Sequence, residues 1–587
     1  PPPPPPPPPP SPTRRSSDLP DNRRISHEIL VPPENRGQAR DGQIVTVQIV
    51  EQPTRRQAPI GRVSEVLGNQ MAPGMEVEIA LHAHEIRTEW PDAVKAEIAP
   101  LGDAVPERAK RGRVDLRDVP LVTIDGITAR DFDDAVFCER RGRNYRLLVA
   151  IADVSTYVTP NGALDVEARE RGNSVYFPDR VIPMLPEVLS NGLCSLNPEV
   201  DRLCMVCEMT INRDGKLVRS TFFEGLMRSH ARLTNDAVAK ALIDRDEHLR
   251  KELGELLPHL EALHALYEVL QKARERRGAI DFETQKTEIE YDAQRKIEAI
   301  RPTQRNDAHK LIEECMIAAN VAAARFLRRN KMPALYRVHN GPTASRLEDL
   351  RAFLGELGLG VGGGGKPEPG DYAALLDHAR SRPDWRLIQT VLLRSLSRAV
   401  YSPAEDGHFG LGLPSYTHFT SPIRRYPDLL VHRGIRHILN GGKPADFVYT
   451  RGDMESMGEH CSHTERNADE AVWDAVEWLK CEYMLDKVGD AFDGLVTSVT
   501  SFGLFVELSE VFVEGLIHIT NLDNDYYHFD PVGHRLRGER SGRTYRLGDR
   551  IRMRVTRVDL DDRKIDFEPE TRAANSDSQK PRRRRRR

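Results

Sequence analysis

The chain has 587 residues, 39% hydrophobic and 30% charged, and at roughly 150 residues per domain its length suggests about four domains. No stretch reaches about 18 uninterrupted apolar residues, which excludes a transmembrane helix. The net charge of −4 gives no global argument for a nucleic-acid partner, so that case must come from local patches.

Residues 1–21 open with ten prolines and carry no apolar periodicity. They lack an initiator methionine and read as a low-complexity, foreign or mis-assembled start that lies outside the fold. From Ile25 to Ile98 the pattern is β-like, with alternation in Val45–Val50 and again in Met75–Ala80. Pro53–Pro59 then reads as a linker between two small β units, residues 22–52 and 53–111. The first of these is too short to close a barrel.

Residues 112–485 form one long mixed region. Strands are expected at Leu121–Asp125, Tyr145–Ala152 and Leu203–Ile211, then helices over Leu249–Arg277, Ala308–Arg329 and Arg386–Ala399. Residues 489–570 return to short strands, among them Phe492–Val499, Leu504–Leu508, Ile551–Val558 and Lys564–Phe567, the spacing of a small closed barrel such as an OB-fold. Residues 571–587 end in an arginine run and read as a disordered basic tail. Seven cysteines are too few for a disulfide framework and point to a reducing, cytoplasmic location.

The strongest chemical signal is Thr123-Ile-Asp-Gly-Ile-Thr-Ala-Arg-Asp-Phe-Asp-Asp134, with Asp125, Asp131, Asp133 and Asp134 close together. Like charges at that spacing raise one another's proton affinity, and a hard divalent cation such as Mg²⁺ relieves the conflict. Two such ions about 4 Å apart can clamp an in-line phosphodiester displacement. A solvated acidic turn is the plainer alternative. An EF-hand is excluded, because Val136 stands where the loop needs glycine and Gly142 where it needs glutamate.

The second signal runs from His408 to Asp428. It crowds Arg424 and Arg425 with Tyr416, His418, Phe419 and Tyr426. Guanidinium groups suit phosphate recognition and charge stabilisation at a phosphoryl centre. Ser421 and Pro422 read as the N-cap and first residue of a helix. The competing reading is a buried loop with an arginine–carboxylate pair to Asp428. In the C-terminal barrel Phe502, Phe505 and His518 are candidates for stacking on bases, with Tyr526, Tyr527 and Phe529 in a following loop. Three motif-like segments are rejected. Gly360–Pro367 lacks the Ser/Thr and the preceding strand of a phosphate loop, Cys204–Cys207 places its thiols on opposite faces of a strand, and His84-Glu85 lacks the second histidine of a zinc protease.

Together, the aspartate motif and His418-Phe-Thr-Ser-Pro-Ile-Arg-Arg-Tyr-Pro-Asp-Leu429 resemble the catalytic domain of the ribonuclease II family. Residues 174–186 and 191–198 are similar as well, and the likeness covers about residues 22–570. It implies an α+β multidomain fold. Small OB-fold barrels, cold-shock type at the N-terminus and ribosomal-protein S-one type at the C-terminus, would flank a large mixed α/β RNB catalytic domain over 112–485. On this reading 22–52 is the remnant of a first cold-shock barrel and 53–111 a second.

The resemblance implies processive 3′→5′ hydrolysis of RNA to nucleoside 5′-monophosphates with Mg²⁺, as two ions, in RNA turnover and quality control. Asp125, Asp131, Asp133 and Asp134 match the metal and catalytic carboxylates, and Arg424 the arginine at the scissile phosphate. Tyr176 matches the residue that stacks on the terminal base, and Phe282 the opposing aromatic. Arg425, Phe502, Phe505 and His518 complete the expected RNA contacts. The expected substrate is single-stranded RNA or RNA with a 3′ overhang, handled by a cytoplasmic monomer, with the ribosome or RNA-decay machinery as partners. The alternatives are a silent RNA-binding or chaperone protein, and a member of the family that stalls at duplexes.

Overall fold

The computed structural model describes residues 28–54, 57–282, 287–292, 296–303, 305–522 and 525–570, with the backbone of 17–18. The expected low-complexity start, apart from 17–18, and the basic tail lie outside the described residues.

The N-terminal part differs from the expectation of two β units. Gln43–Glu51 and Ile60–Asn69 pair antiparallel as one hairpin, so the segment read as a linker falls between two strands of a single unit. Met75–Ala83 is an α-helix, not a strand, and Asp92–Ile98 and Glu107–Lys110 are helices too. Residues 53–111 therefore contain one long strand and three helices and form no second barrel among the described residues. The alternation in Met75–Ala80 conceals a helical set, Val77, Ala80 and Leu81. That set is buried against Ala468, Ala471 and Ala475. Small alanines let a helix approach closely, and the burial outweighs the local β pattern.

The central region is built on a seven-stranded sheet. Its strands run in the order Ala231–Thr234, Val122–Asp125, Asp134–Arg141, Asn144–Ala152, Asp201–Asn212, Leu217–Arg228, Val114–Asp115. The two outermost pairings are parallel and the inner ones antiparallel. Helices cover both faces, so successive side chains enter two different cores. Leu147, Val149 and Ile151 face the helices Leu257–Arg276 and Asp307–Arg329. Leu148, Ala150 and Ala152 face Leu429, Leu430 and Met454. Cys204 and Cys207 divide between these two cores, as the period of a strand requires.

Helix Tyr426–Leu439 is fixed against this core by buried charge pairs. Arg433 meets Asp165 at 2.6 Å, and Arg436 pairs with the fully buried Asp153, which also holds Arg113 at 2.6 Å. Buried pairs of this kind fix orientation more than they add stability. Their effect here is to position the helix N-terminus. The long stretch Leu249–Arg277 is broken by a 3₁₀ turn at Gly254–Leu256 into two helices, and Arg386–Ala399 ends early, at Ser395.

Residues 477–570, with 289–301, form a second compact unit. Its core is a closed five-stranded barrel of Ala491–Thr500, Gly503–Leu508, Glu514–His518, Arg550–Asp559 and Lys564–Pro569. Gly503 permits the tight entry to its strand, since a Cβ there would lie 2.3 Å from the Ile517 carbonyl oxygen. Tyr527–Asp530, expected in a loop, instead opens a separate three-stranded sheet with Arg535–Gly538 and Thr544–Arg546. Among the described residues no helix is long and apolar enough to cross a membrane. All seven cysteines are buried, and none forms a disulfide.

Candidate active site

Asp125 ends one strand of the central sheet and Asp134 begins the next, so the loop carrying Asp131 and Asp133 projects from a rigid edge. Ser195 braces that loop. Its Oγ accepts the Phe132 N–H (3.0 Å) and donates to the Arg130 carbonyl (2.8 Å). Arg232 holds the other limb by donating to the carbonyls of Ile127 (2.6 Å) and Ala129 (3.2 Å).

Asp133 is 5% exposed. Its Oδ1 accepts the backbone N–H of Ile423 at 2.9 Å. Its Oδ2 lies 3.5 Å from the Arg424 guanidinium but has no hydrogen-bond partner, and Asp125 Oδ2 is likewise buried without one. Burial pushes the Asp133 carboxyl well above its ordinary range, against the pull of Arg424 and the Ile423 N–H. Burial and the Asp131 charge raise Asp125 to about 6, and burial and the Asp125 charge raise Asp134 to about 8. These carboxylates thus repel one another in a desolvated pocket, and the plain solvated turn is excluded for Asp133 and Asp125.

The arginine segment is a turn, not a helix start. Ser421 does not cap a helix, and the helix begins at Tyr426 with Pro427 in its first turn. The N–H groups of Arg424 and Arg425 reach the Ser421 carbonyl. The fully buried Asp428 accepts the Ser421 N–H and the Arg425 guanidinium, both at 2.8 Å. That geometry gives Arg425, expected as an RNA contact, a bracing role within the turn. Its guanidinium is 20% exposed and committed to Asp428, so it braces the turn. Arg424, 43% exposed, remains available to a ligand while its Nη2 donates to Ser421 Oγ at 3.0 Å.

A third segment ties the other two together. The Ser174 N–H donates to the Arg424 carbonyl (3.0 Å), and the Tyr426 N–H donates to the Gly172 carbonyl (2.9 Å). Gly172 has φ +70°, and a Cβ there would lie 2.1 Å from Thr464. Tyr176, 41% exposed, then donates its hydroxyl to Asp131 Oδ2 at 2.6 Å. Phe282 is half-buried, and no ring contact joins it to Tyr176 among the described residues.

Tyr416, His418, Phe419 and Tyr426 are packed behind the site and do not line it. The Tyr416 hydroxyl accepts from Asn320, His418 Nδ1 meets the Tyr401 hydroxyl at 2.9 Å, and Phe419 stacks on His432. In the second unit Phe505 and His518 share the barrel's outer face, since Phe505 pairs with Leu516 and Gly503 with His518. Phe502, 47% exposed, stands edge-on to Phe505 at 6.0 Å. Sequence reasoning missed Ser195 and the Ile423 N–H. The first carried a signal only as a polar residue inside apolar text, and a backbone donor carries none.

Residues 113–441 match the RNB domain, 19–91 the cold shock domain and 485–569 the S1 RNA binding domain. Ribonuclease R of Escherichia coli (strain K12) is 56% identical over 558 residues, 94% of this chain and 68% of the relative. Ribonuclease R of Vibrio cholerae is 56% identical over 560 residues with the same coverage. Among solved structures, the apo form of Mycoplasma genitalium RNase R has a TM-score of 0.87 and 30% identity, covering 94% of this chain and 86% of that one. Structures of that enzyme with ribose-methylated single-stranded RNA and with double-stranded RNA match at TM-scores of 0.87 and 0.83. An aspartate pocket facing an arginine turn, inside an RNB domain and followed by an S1 barrel, is what these relatives share a sequence with along nearly the whole chain, which belongs to the ribonuclease R family of 3′→5′ exoribonucleases.

Proposed function

We propose that this exoribonuclease works by hydrolysis, releasing nucleoside 5′-monophosphates processively, with Mg²⁺ held by the aspartate pocket. The observation that carries the reading is the pair of buried, unpartnered carboxylate oxygens on Asp125 and Asp133 beside Arg424. Carboxylate oxygens suit a hard cation. Among the described residues no three His, Cys, Asp or Glu side chains form a ready-made metal cage. Mg²⁺ commonly takes one or two carboxylates and fills its other positions from substrate phosphate and water. Asp125, Asp131, Asp133 and Asp134 would hold the ions, which supply the positive charge that polarises the scissile phosphate.

The chain's own residues do the rest. Arg424 offers a guanidinium to a non-bridging phosphate oxygen, where charge grows in the transition state. The Ile423 N–H and the Arg424 charge favour the ionised form of Asp133, against the burial that raises its proton affinity. The Tyr176 ring offers a stacking face at the mouth of the pocket, and Phe502, Phe505 and His518 offer another on the barrel. Cytoplasmic action as a monomer in RNA turnover, with ribosomal or RNA-decay partners, completes the reading.

The test is 5′-labelled single-stranded RNA and a 3′-overhang duplex, incubated without phosphate in Mg²⁺ or EDTA. Stepwise shortening with monophosphate release, in Mg²⁺ only, is expected on both substrates. Nucleoside diphosphates appearing only when phosphate is added would replace hydrolysis by phosphorolysis. Arrest at the duplex would assign the stalling behaviour instead.

The raised carboxylates also set a pH dependence. Without a cation, folded Asp125 and Asp134 hold protons up to about pH 6 and 8, whereas the unfolded chain releases them near pH 4. The folded state therefore binds more protons across that window, and cation-free stability falls as pH rises through it. A cation that binds the ionised set reverses the loss. Thermal scans should show little Mg²⁺ stabilisation at pH 5.5 and a rise on the order of several degrees at pH 8.5. A Mg²⁺ effect that does not grow with pH would contradict the ligand assignment.

A further inference from the structure

The three-stranded sheet that joins the third and fourth barrel strands carries a charge pattern that the barrel's aromatic face does not account for. Between Tyr526 and Arg546 five arginines face two carboxylates. The strand register divides the side chains cleanly. Tyr527, Leu536 and Tyr545 are all buried, at 5%, 0% and 4% exposure, and form the inner face. The outer face carries two rows, His528–Arg537–Thr544 and Asp530–Arg535–Arg546, because partners directly across a sheet point the same way.

On that outer face Arg535 is spent on Asp530 at 2.7 Å. Arg537 and Arg546 are exposed, and among the described residues neither guanidinium forms a salt bridge, although the Arg546 charge acts on the nearby Asp549 carboxylate. Three arginines of the barrel strand Arg550–Asp559 differ. Arg552 and Arg554 are paired with Glu570, and Arg557 with Asp559. Holding these two exposed guanidinium groups on one face with Arg535 costs mutual repulsion, which an incoming phosphate relieves. Tyr526, 62% exposed, stands edge-on to His528 at 5.0 Å beside this face, so aromatic surface accompanies the charge.

We propose that the outer face of this sheet is a second RNA site, taking the phosphate backbone of single-stranded RNA on Arg537 and Arg546 with an unstacked base against Tyr526 or His528. OB-folds generally bind oligonucleotides on the face of strands two and three and on the loops after strands one and four. Phe502, Phe505 and His518 occupy that conventional region, whereas the sheet replaces the connection between strands three and four. Exposed guanidinium groups suit phosphate, and accessible rings suit single strands over duplexes, whose bases are already stacked.

The test is the affinity of the full chain for a fluorescein-labelled oligouridylate, titrated in EDTA at several salt concentrations, with RNA integrity checked on a gel. The result is thus independent of the metal reading. Each phosphate contact to a single strand contributes about 0.7 to the slope of log K against log salt. Arg537→Gln with Arg546→Gln should lower that slope by about 1.4 and weaken binding most at low salt, and Arg537→Lys with Arg546→Lys should restore the slope. Phe502→Ala should weaken binding with the slope kept. An unchanged slope in the Gln variant overturns the proposal. As a measurement that needs no variant, bound oligouridylate should protect Arg537 and Arg546 of the wild-type chain from phenylglyoxal. Equal modification with and without RNA also overturns it.

Discussion

Asp133→Asn is expected to lower RNA cleavage by about 10³-fold or more while leaving RNA affinity within about threefold. The asparagine keeps an oxygen for the Ile423 N–H, so the turn stays seated. It replaces the unpartnered Oδ2, the oxygen nearest Arg424, with an amide or a neutral oxygen. The pocket then loses the charge that both a cation and Arg424 require. Because burial raises the proton affinity of Asp133 strongly, the neutral variant should melt at or above the wild-type temperature in EDTA at pH 8. Lost cleavage with retained stability and binding places the fault in chemistry. Cleavage within tenfold of wild type would remove Asp133 from the catalytic set.

The second large effect is at Tyr176, where ring and hydroxyl can be separated. Tyr176→Ala removes the exposed stacking face and should lengthen the final undegraded oligonucleotide by several nucleotides. Tyr176→Phe keeps the ring and should leave that length unchanged. It deletes the 2.6 Å hydrogen bond to Asp131 Oδ2, the kind of outer contact whose loss typically weakens a metal site by about 10–100-fold. The Mg²⁺ concentration for half-maximal rate should rise accordingly, with calorimetric Mg²⁺ binding weakened in parallel. An unchanged ladder in the alanine variant would sink the stacking role. Unchanged Mg²⁺ binding in the phenylalanine variant would show that the hydroxyl does not orient Asp131.

Much of this site was legible in linear text because its chemistry is locally dense. Four aspartates between positions 125 and 134 conflict electrostatically in any conformation that keeps them close. Two adjacent arginines in apolar, aromatic text likewise announce a special environment. The text could not say which arginine was free. Arg424 and Arg425 are neighbours of the same type, and the difference is made by Asp428, buried at 0% exposure one helical turn on, which takes Arg425 and leaves Arg424 beside Asp133.

The same division holds for the fold. Strand periodicity located Val122–Asp125, Asn144–Ala152 and the barrel, where alternate side chains enter cores whose positions the period itself dictates. At Met75–Ala80 the period misled, because an alanine-lined helix distant in sequence buried Val77, Ala80 and Leu81 together. The sequence by itself determined the charges, the elements with long clean periods and the family of chemistry, all of which depend on residues near one another in the chain. Only the tertiary structure decided which carboxylate oxygens are left without partners, which arginine is free and which backbone N–H holds Asp133. Those outcomes depend on contacts such as Ile423 to Asp133 and Ser174 to Arg424, between segments hundreds of residues apart, where burial makes each unmade hydrogen bond costly.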